Sequence, residues 1–198
     1  MANLALFDFD GTITNREVFP DFMRFAVAPR RLAVGKIVLA PWVAGYRLGV
    51  VPGNVVRSRI VQFGFRGVAE TSVREAGVVF ARTVLPGVVR PVAAERIRWH
   101  RAWGDHVVVV SGSLDFYLSP WCQAQGLELI CSRLETDGGR LTGRYLGEQC
   151  VGDEKARQVR ARRDLAAFET VYAYGDTHED LQMLALAEKK YFRWREMS

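Results

Sequence analysis

The sequence predicts an α/β fold: a Rossmann-like parallel sheet core with helices on both faces, plus a helical cap inserted after the first strand. Three observations predict it. Short apolar runs at Leu4 to Phe9, His106 to Val110 and Val171 to Tyr174 are rich in β-branched or aromatic residues and end at small or acidic ones, as strands buried on both faces do. Helical stretches alternate with these runs. Between the first run and the second, the alternation gives way to a long series of helix-like segments.

The elements follow in order. After the first strand, residues 15–85 read as helices over Glu17 to Phe25, Leu32 to Leu48 with Pro41 inside, Asn54 to Phe63 and Val68 to Val84, with a turn at Pro52-Gly53. This is the expected cap; residues 1–14 and 86–198 are the expected core. Pro91 to Trp103 opens on proline and stops before Gly104, the usual helix asymmetry. Leu114 to Gln125, Asp153 to Arg163 and Glu179 to Ala187 also read as helices. Asp137-Gly138-Gly139 between the extended runs Cys131 to Thr136 and Arg140 to Tyr145 signals a hairpin.

Composition narrows the class. Of 198 residues, 49% are hydrophobic and 25% charged, a globular balance that rules out a disordered chain. Cys122, Cys131 and Cys150 form no C-x-x-C pair, and the N-terminal apolar run has no basic flank, so reduced thiols in a cytoplasmic protein are expected. The net charge of +5 is uneven. Residues 15–90 carry twelve Lys/Arg against four Asp/Glu, and Phe22 to Ala69 contains no acid at all. A basic segment beside an acidic remainder suits an anionic small molecule or an anionic membrane surface at the inner membrane, and a plain solvated face is the alternative; nucleic acid is not expected. Leu32 to Val51 is apolar, but Lys36, Pro41 and Arg47 interrupt it, so a helical hairpin is expected rather than a span.

Four features can carry chemistry. Asp8 and Asp10 end the first strand, where α/β sheets bind ligands. Two carboxylates at i and i+2 repel unless a proton or cation is shared, and Mg²⁺ with oxygen ligands and a substrate phosphate resolves that. Ser111-Gly112 ends the second strand; the hydroxyl and the N–H groups around Gly112 can meet a phosphate oxygen. Lys155, in the first turn of a helix, can neutralise phosphate charge. Asp176 and Asp180 follow the third strand, one helical turn apart. Singly, each has an ordinary reading: solvated carboxylates, a serine cap, a surface lysine, early helix acids. Together, in this order, they fall where one sheet edge would collect them.

In Phe7-Asp8-Phe9-Asp10-Gly11-Thr12, Ser111, Lys155 and Gly175-Asp176…Asp180, the sequence resembles the haloacid dehalogenase-like phosphatases, in the subgroup with a helical cap after the first strand that includes phosphoserine phosphatases and lipid-phosphate phosphatases. The resemblance implies a Mg²⁺-dependent phosphomonoester hydrolase acting on a small phosphate ester or a phospholipid headgroup. Asp8 would be the nucleophile that becomes an aspartyl phosphate, and Asp10 the acid and then the base. Ser111 and Lys155 would hold the phosphoryl oxygens, with Asp8, the Asp10 carbonyl and Asp176 on the metal and Asp180 supporting it. Glu17 and Arg59 match positions that phosphoserine phosphatases use for substrate, whereas Ser113 and Glu179 depart from their pattern. A sugar-phosphate mutase would use the same aspartyl chemistry. A phosphoacceptor signalling module would carry its aspartate on a later strand.

Overall fold

The computed structural model describes residues 2–197; Met1 and Ser198 lie outside the described residues. A six-stranded sheet runs in the order β3-β2-β1-β6-β7-β8, with β1 Leu4–Phe7, β2 His106–Leu114, β3 Glu128–Ser132, β6 Val171–Gly175, β7 Lys189–Phe192 and β8 Arg195–Met197. All neighbours pair in parallel except the last, where β8 turns back on β7. The hairpin β4 Leu134–Asp137 and β5 Arg140–Tyr145 forms a separate two-stranded sheet. Its turn residues Gly138 and Gly139 both have positive φ, 53° and 75°, which suits the twist of a tight hairpin.

The strands alternate between two cores, as a period of two requires. Ala5, Phe7, Val107 and Val109 face one core, and Leu4, Leu6, Val108 and Val110 the other. Helices α8 Asp153–Arg162 and α9 Leu181–Leu184 cover the second through Val159, Met183 and Leu184. The first is covered by α6 Pro91–Ala102, α7 Asp115–Gln125 and part of a helical insert. That insert comprises α1 Phe19–Ala26, α2 Pro29–Val38, α3 Ala40–Arg47, α4 Gly53–Phe65 and α5 Glu70–Thr83, all between β1 and α6. Phe22 of α1, Phe80 of α5 and Tyr117 of α7 join it to the core, with ring centroids 4.6–5.4 Å apart.

Several expected boundaries move. Leu32 to Leu48 is two helices, parted at Leu39 ahead of Pro41, because the proline supplies no N–H and starts a new first turn. The first hairpin strand starts at Leu134: Cys131 belongs to β3, paired with Ser111 of β2. Glu179 to Ala187 shortens to a 3₁₀ turn, His178–Asp180, followed by α9.

Chain order places β1 between β2 and β6, where connections leave in opposite directions. Phe7 sits in register with Val109 on one side and Tyr174 on the other. An aromatic ladder braces this point: Phe7 stacks on Tyr174 at 4.2 Å, and Tyr174 on Tyr191 at 4.8 Å. The Tyr174 hydroxyl reaches Nε2 of the fully buried His100 at 2.9 Å, and His100 Nδ1 lies 2.7 Å from Asp105 Oδ2. A neutral imidazole donating from Nδ1 to the carboxylate and accepting the tyrosine proton satisfies all three groups.

Burial outweighs Asp105 and holds the His100 pKa below its ordinary 6.5. Below about pH 6.5 the unfolded chain therefore binds a proton that the folded one does not, and stability falls as pH falls. His100→Phe is expected to cost about 1–3 kcal/mol by stranding its two partners, and to flatten this acid limb; urea titrations across pH 5–8 (a range of about three units around the histidine pKa) measure both effects.

Candidate active site

Asp8, Ser111 and Asp176 stand at the carboxyl ends of three adjacent strands, and Lys155 rises from the first turn of α8. The Asp8 N–H donates to the Tyr174 carbonyl at 2.9 Å, continuing the sheet by one bond beyond β1. After Asp8 the chain turns sharply. Gly11 adopts φ +80°, and a Cβ there would run into Asp176 Oδ2. The same turn lets the Thr12 hydroxyl donate to Asp176 Oδ1 at 3.1 Å.

Lys155 Nζ is buried between two carboxylates, 2.6 Å from Asp8 Oδ1 and 2.5 Å from Asp180 Oδ1. Asp180 is engaged on both oxygens: its Oδ2 accepts from the Asp176 and Thr177 N–H groups and the Thr177 hydroxyl at 2.9–3.0 Å. Burial opposes its charge, but Lys155 and these donors outweigh it and hold its pKa below the ordinary value. Asp8 lacks such support. Burial pushes its carboxyl up to about 8, aided by the charges of Asp180 and Asp10, although Lys155 pulls the other way. Two carboxylates thus share one ammonium, and of the two Asp180 is held low and Asp8 raised.

Asp8, Asp176 and Asp180 bring carboxylate oxygens within 4.8 Å of one another. An all-oxygen set of this kind fits a hard divalent cation. With Asp180 already engaged on both oxygens, Asp8 and Asp176 are the carboxylates left to bind directly.

Asp10 is turned away from this cluster. Its Oδ1 accepts the Val18 N–H at 2.7 Å, and its Oδ2 accepts the Ser113 hydroxyl. Burial raises its pKa against those two hydrogen bonds. Ser111 Oγ accepts the Ser113 N–H at 3.1 Å, which leaves its own proton free to donate.

These groups open on a cleft of about 250 Å³ between the sheet edge and the insert. Asp8, Asp10, Glu17, Ser111, Gly112 and Lys155 all line it, and Asp176 and Asp180 stand beside it. Arg59 does not line it. Its guanidinium lies over the Trp42 ring at 4.8 Å and donates to Gln62. Arg57 lines the cleft instead, its buried Nη1 without a hydrogen bond and 3.5 Å from Glu179 Oε2. The helical period explains the difference: Arg57 shares a stripe with the buried Val61 and Gly64, whereas Arg59 is turned about 200° from it. The period is legible in the sequence, but which stripe faces the cleft is set by the packing of α4. Phe19 and Tyr46, which also line the cleft, gave no comparable signal, whereas Ser113, Thr177 and His178 line it from beside Ser111 and Asp176.

Gly11→Ala is expected to destabilise by more than Gly49→Ala. Both positions have positive φ, worth about 1–2 kcal/mol, but nothing lies within 4 Å of a Cβ at Gly49, whereas Asp176 lies against one at Gly11. Thermal melts of the two variants compare them directly.

A sequence model described as haloacid dehalogenase-like hydrolase matches residues 5–185. Protein CicA of Caulobacter vibrioides is 32% identical over 193 residues, covering 96% of this chain and 85% of its own. A histidinol-phosphatase of Neisseria meningitidis serogroup C is 24% identical over 202 residues, covering 96% and 89%. The solved structure of a substrate-bound phosphoserine phosphatase superposes with a TM-score of 0.70 at 21% identity, over 97% of this chain and 86% of that one, a likeness of fold. The chain belongs to the haloacid dehalogenase-like hydrolase family.

Proposed function

We propose that this hydrolase is a Mg²⁺-dependent phosphomonoester hydrolase that works through an aspartyl phosphate on Asp8. The observation that carries this reading is the pairing of Asp8 with the buried Lys155 at the floor of a cleft that also holds the Ser111 hydroxyl. A phosphate ester entering the cleft meets its nucleophile and the donors for its oxygens in one place, the arrangement that phosphoryl transfer requires.

In this reading the Asp8 carboxylate attacks phosphorus. Lys155 and the free Ser111 proton bind the phosphoryl oxygens, with the N–H groups around Gly112 beside them. Asp10, whose pKa burial raises, gives its proton to the leaving oxygen. It then takes a proton from the water that hydrolyses the acyl phosphate. Asp8, Asp176 and the Asp10 carbonyl would hold Mg²⁺, with Asp180 supporting them, and the ion would supply positive charge against the phosphate. The helical insert, residues 15–85, acts as a cap over the core formed by residues 1–14 and 86–198.

The substrate is a small phosphate ester or a phospholipid headgroup. Beyond the phosphate end, the cleft presents Glu17, Tyr46, Arg57, His178 and Glu179. Glu17 and Arg57 together favour phosphoserine as a second reading, because they offer one carboxylate and one guanidinium to an amino acid. Glu179 weakens that reading by drawing on Arg57's charge. The histidinol-phosphatase relative adds an amino alcohol phosphate without a carboxylate to the candidates.

Asp8→Asn is expected to lower phosphate release from an aryl phosphate by about 10³-fold or more, and EDTA to stop it; turnover retained in either case sinks the assignment. A panel of phosphoserine, histidinol phosphate, sugar phosphates and phosphatidylglycerophosphate separates the substrate readings, with Arg57→Ala raising KM only if the substrate carries an anionic group beyond its phosphate.

Mg²⁺ affinity should also depend on pH. Asp8 is mostly protonated below about 8, and a metal must displace that proton. Affinity is therefore expected to rise by roughly tenfold per unit as pH approaches 8 and then level off; calorimetry in buffers of different ionisation enthalpy counts the released proton.

A further inference from the structure

Two helices of the insert turn their large apolar side chains outward. In α2 the inward stripe is Leu32, Gly35 and Leu39, spaced for one helical face, and Gly35 is its buried member. A Cβ on Gly35 would stand 2.9 Å from the Phe63 ring of α4, so the small residue sets how closely the two helices approach. Val34, Ile37 and Val38 occupy the outward face. In α3 the buried residue is again a glycine, Gly45, packed on Val51. Trp42 and Tyr46, one turn apart, stay exposed, and the following turn shows Leu48 and Val50 to solvent. Ile37 and Leu48 are each 78% exposed and Val50 74%.

Leaving such side chains in water forgoes about 1.5–3 kcal/mol apiece relative to burial, and several of them on adjoining elements mark a surface that something covers. The charge says what. Residues 22–69 hold eight Lys/Arg and no Asp/Glu, and Arg30, Lys36 and Arg47 are exposed among the apolar residues. Exposed Trp and Tyr beside aliphatic residues and cations, on a stretch of chain that itself carries no acid, match the polar–apolar boundary of a lipid leaflet. No helix among the described residues is long and apolar enough to cross a membrane, so contact would lie in the plane of the surface. Tyr46 belongs both to this patch and to the lining of the catalytic cleft, so the two are continuous.

We infer that α2, α3 and the turn through Val50 dock the protein onto an anionic lipid surface, with the mouth of the catalytic cleft facing the headgroups. The docking stands on exposure and charge alone; only the orientation of the cleft rests on the phosphatase reading, and that orientation favours the lipid-headgroup branch of it.

The test is co-sedimentation of the intact protein with vesicles of phosphatidylcholine alone and of phosphatidylcholine mixed with phosphatidylglycerol, in the absence of substrate. Binding to the anionic vesicles is expected, falling with added salt, with little binding to the neutral ones. The double substitution Ile37→Asp/Leu48→Asp should reduce binding about tenfold or more, as should Lys36→Glu/Arg47→Glu. Neither should change turnover of a soluble aryl phosphate, which also shows that the variants are folded. Wild-type protein left in the supernatant with anionic vesicles overturns the inference, as does binding at the wild-type level by either variant. So does a wild-type dimer at micromolar concentration that Ile37→Asp/Leu48→Asp converts to monomer, because the face would then join two copies of the chain. Loss of aryl phosphate turnover in the wild type would instead refute the phosphatase reading and leave vesicle binding to be judged separately.

Discussion

One ammonium group between two carboxylates organises the centre of this protein. Lys155 is sealed from water with Asp8 and Asp180 on either side. A buried charge is tolerated only when it is paired and hydrogen-bonded, and here each member depends on a different part of the chain. Asp8 is fixed by the end of β1, Lys155 by the start of α8, and Asp180 by the amides of Asp176 and Thr177. The Gly152 N–H, just ahead of α8, donates to the Glu179 carbonyl at 3.1 Å and ties the last two segments together. The sheet topology delivers these segments to one point, and the charges hold them there.

The arrangement carries more negative than positive charge. Burial and the neighbouring acids raise the Asp8 carboxyl to about 8 while Asp180 stays low, so the excess weighs on Asp8. The backbone and hydroxyl donors gathered on Asp180 set its carboxyl apart from that of Asp8, and in the proposed reaction this imbalance would favour a cation beside Asp8.

The sequence was legible where a strand end fixes direction. Asp8, Ser111 and Asp176 follow apolar runs whose ends locate the sheet edge, and Lys155 follows a glycine at a helix start, so their convergence could be reasoned from order alone. Inside the insert no such reference exists. An arginine two positions from another on a helix points to the opposite side, and without the partner helix the choice between Arg57 and Arg59 rested on resemblance. Strand β3 was hidden because a single residue, Arg133, separates it from β4, leaving no turn signal to divide the run. Strands β7 and β8 were obscured by polar and charged residues, since they lie at the exposed end of the sheet. The role of Ser113 was unreadable for another reason: its partner Asp10 is brought to it by a turn that depends on Gly11.

Asp10 has a consequence for how such a protein diversifies. One of its oxygens is satisfied by a core side chain, Ser113, and the other by the main chain of Val18, just before α1. A main-chain amide is present whatever side chain residue 18 carries, proline excepted. The Asp10 carboxyl is thus oriented by the insert without depending on the insert's composition. Substitutions, lengthenings or exchanges beyond Val18 can therefore reshape the cleft while the Asp10 carboxyl keeps its aim, so that, in the proposed reaction, recognition and reactivity would be free to change on separate schedules.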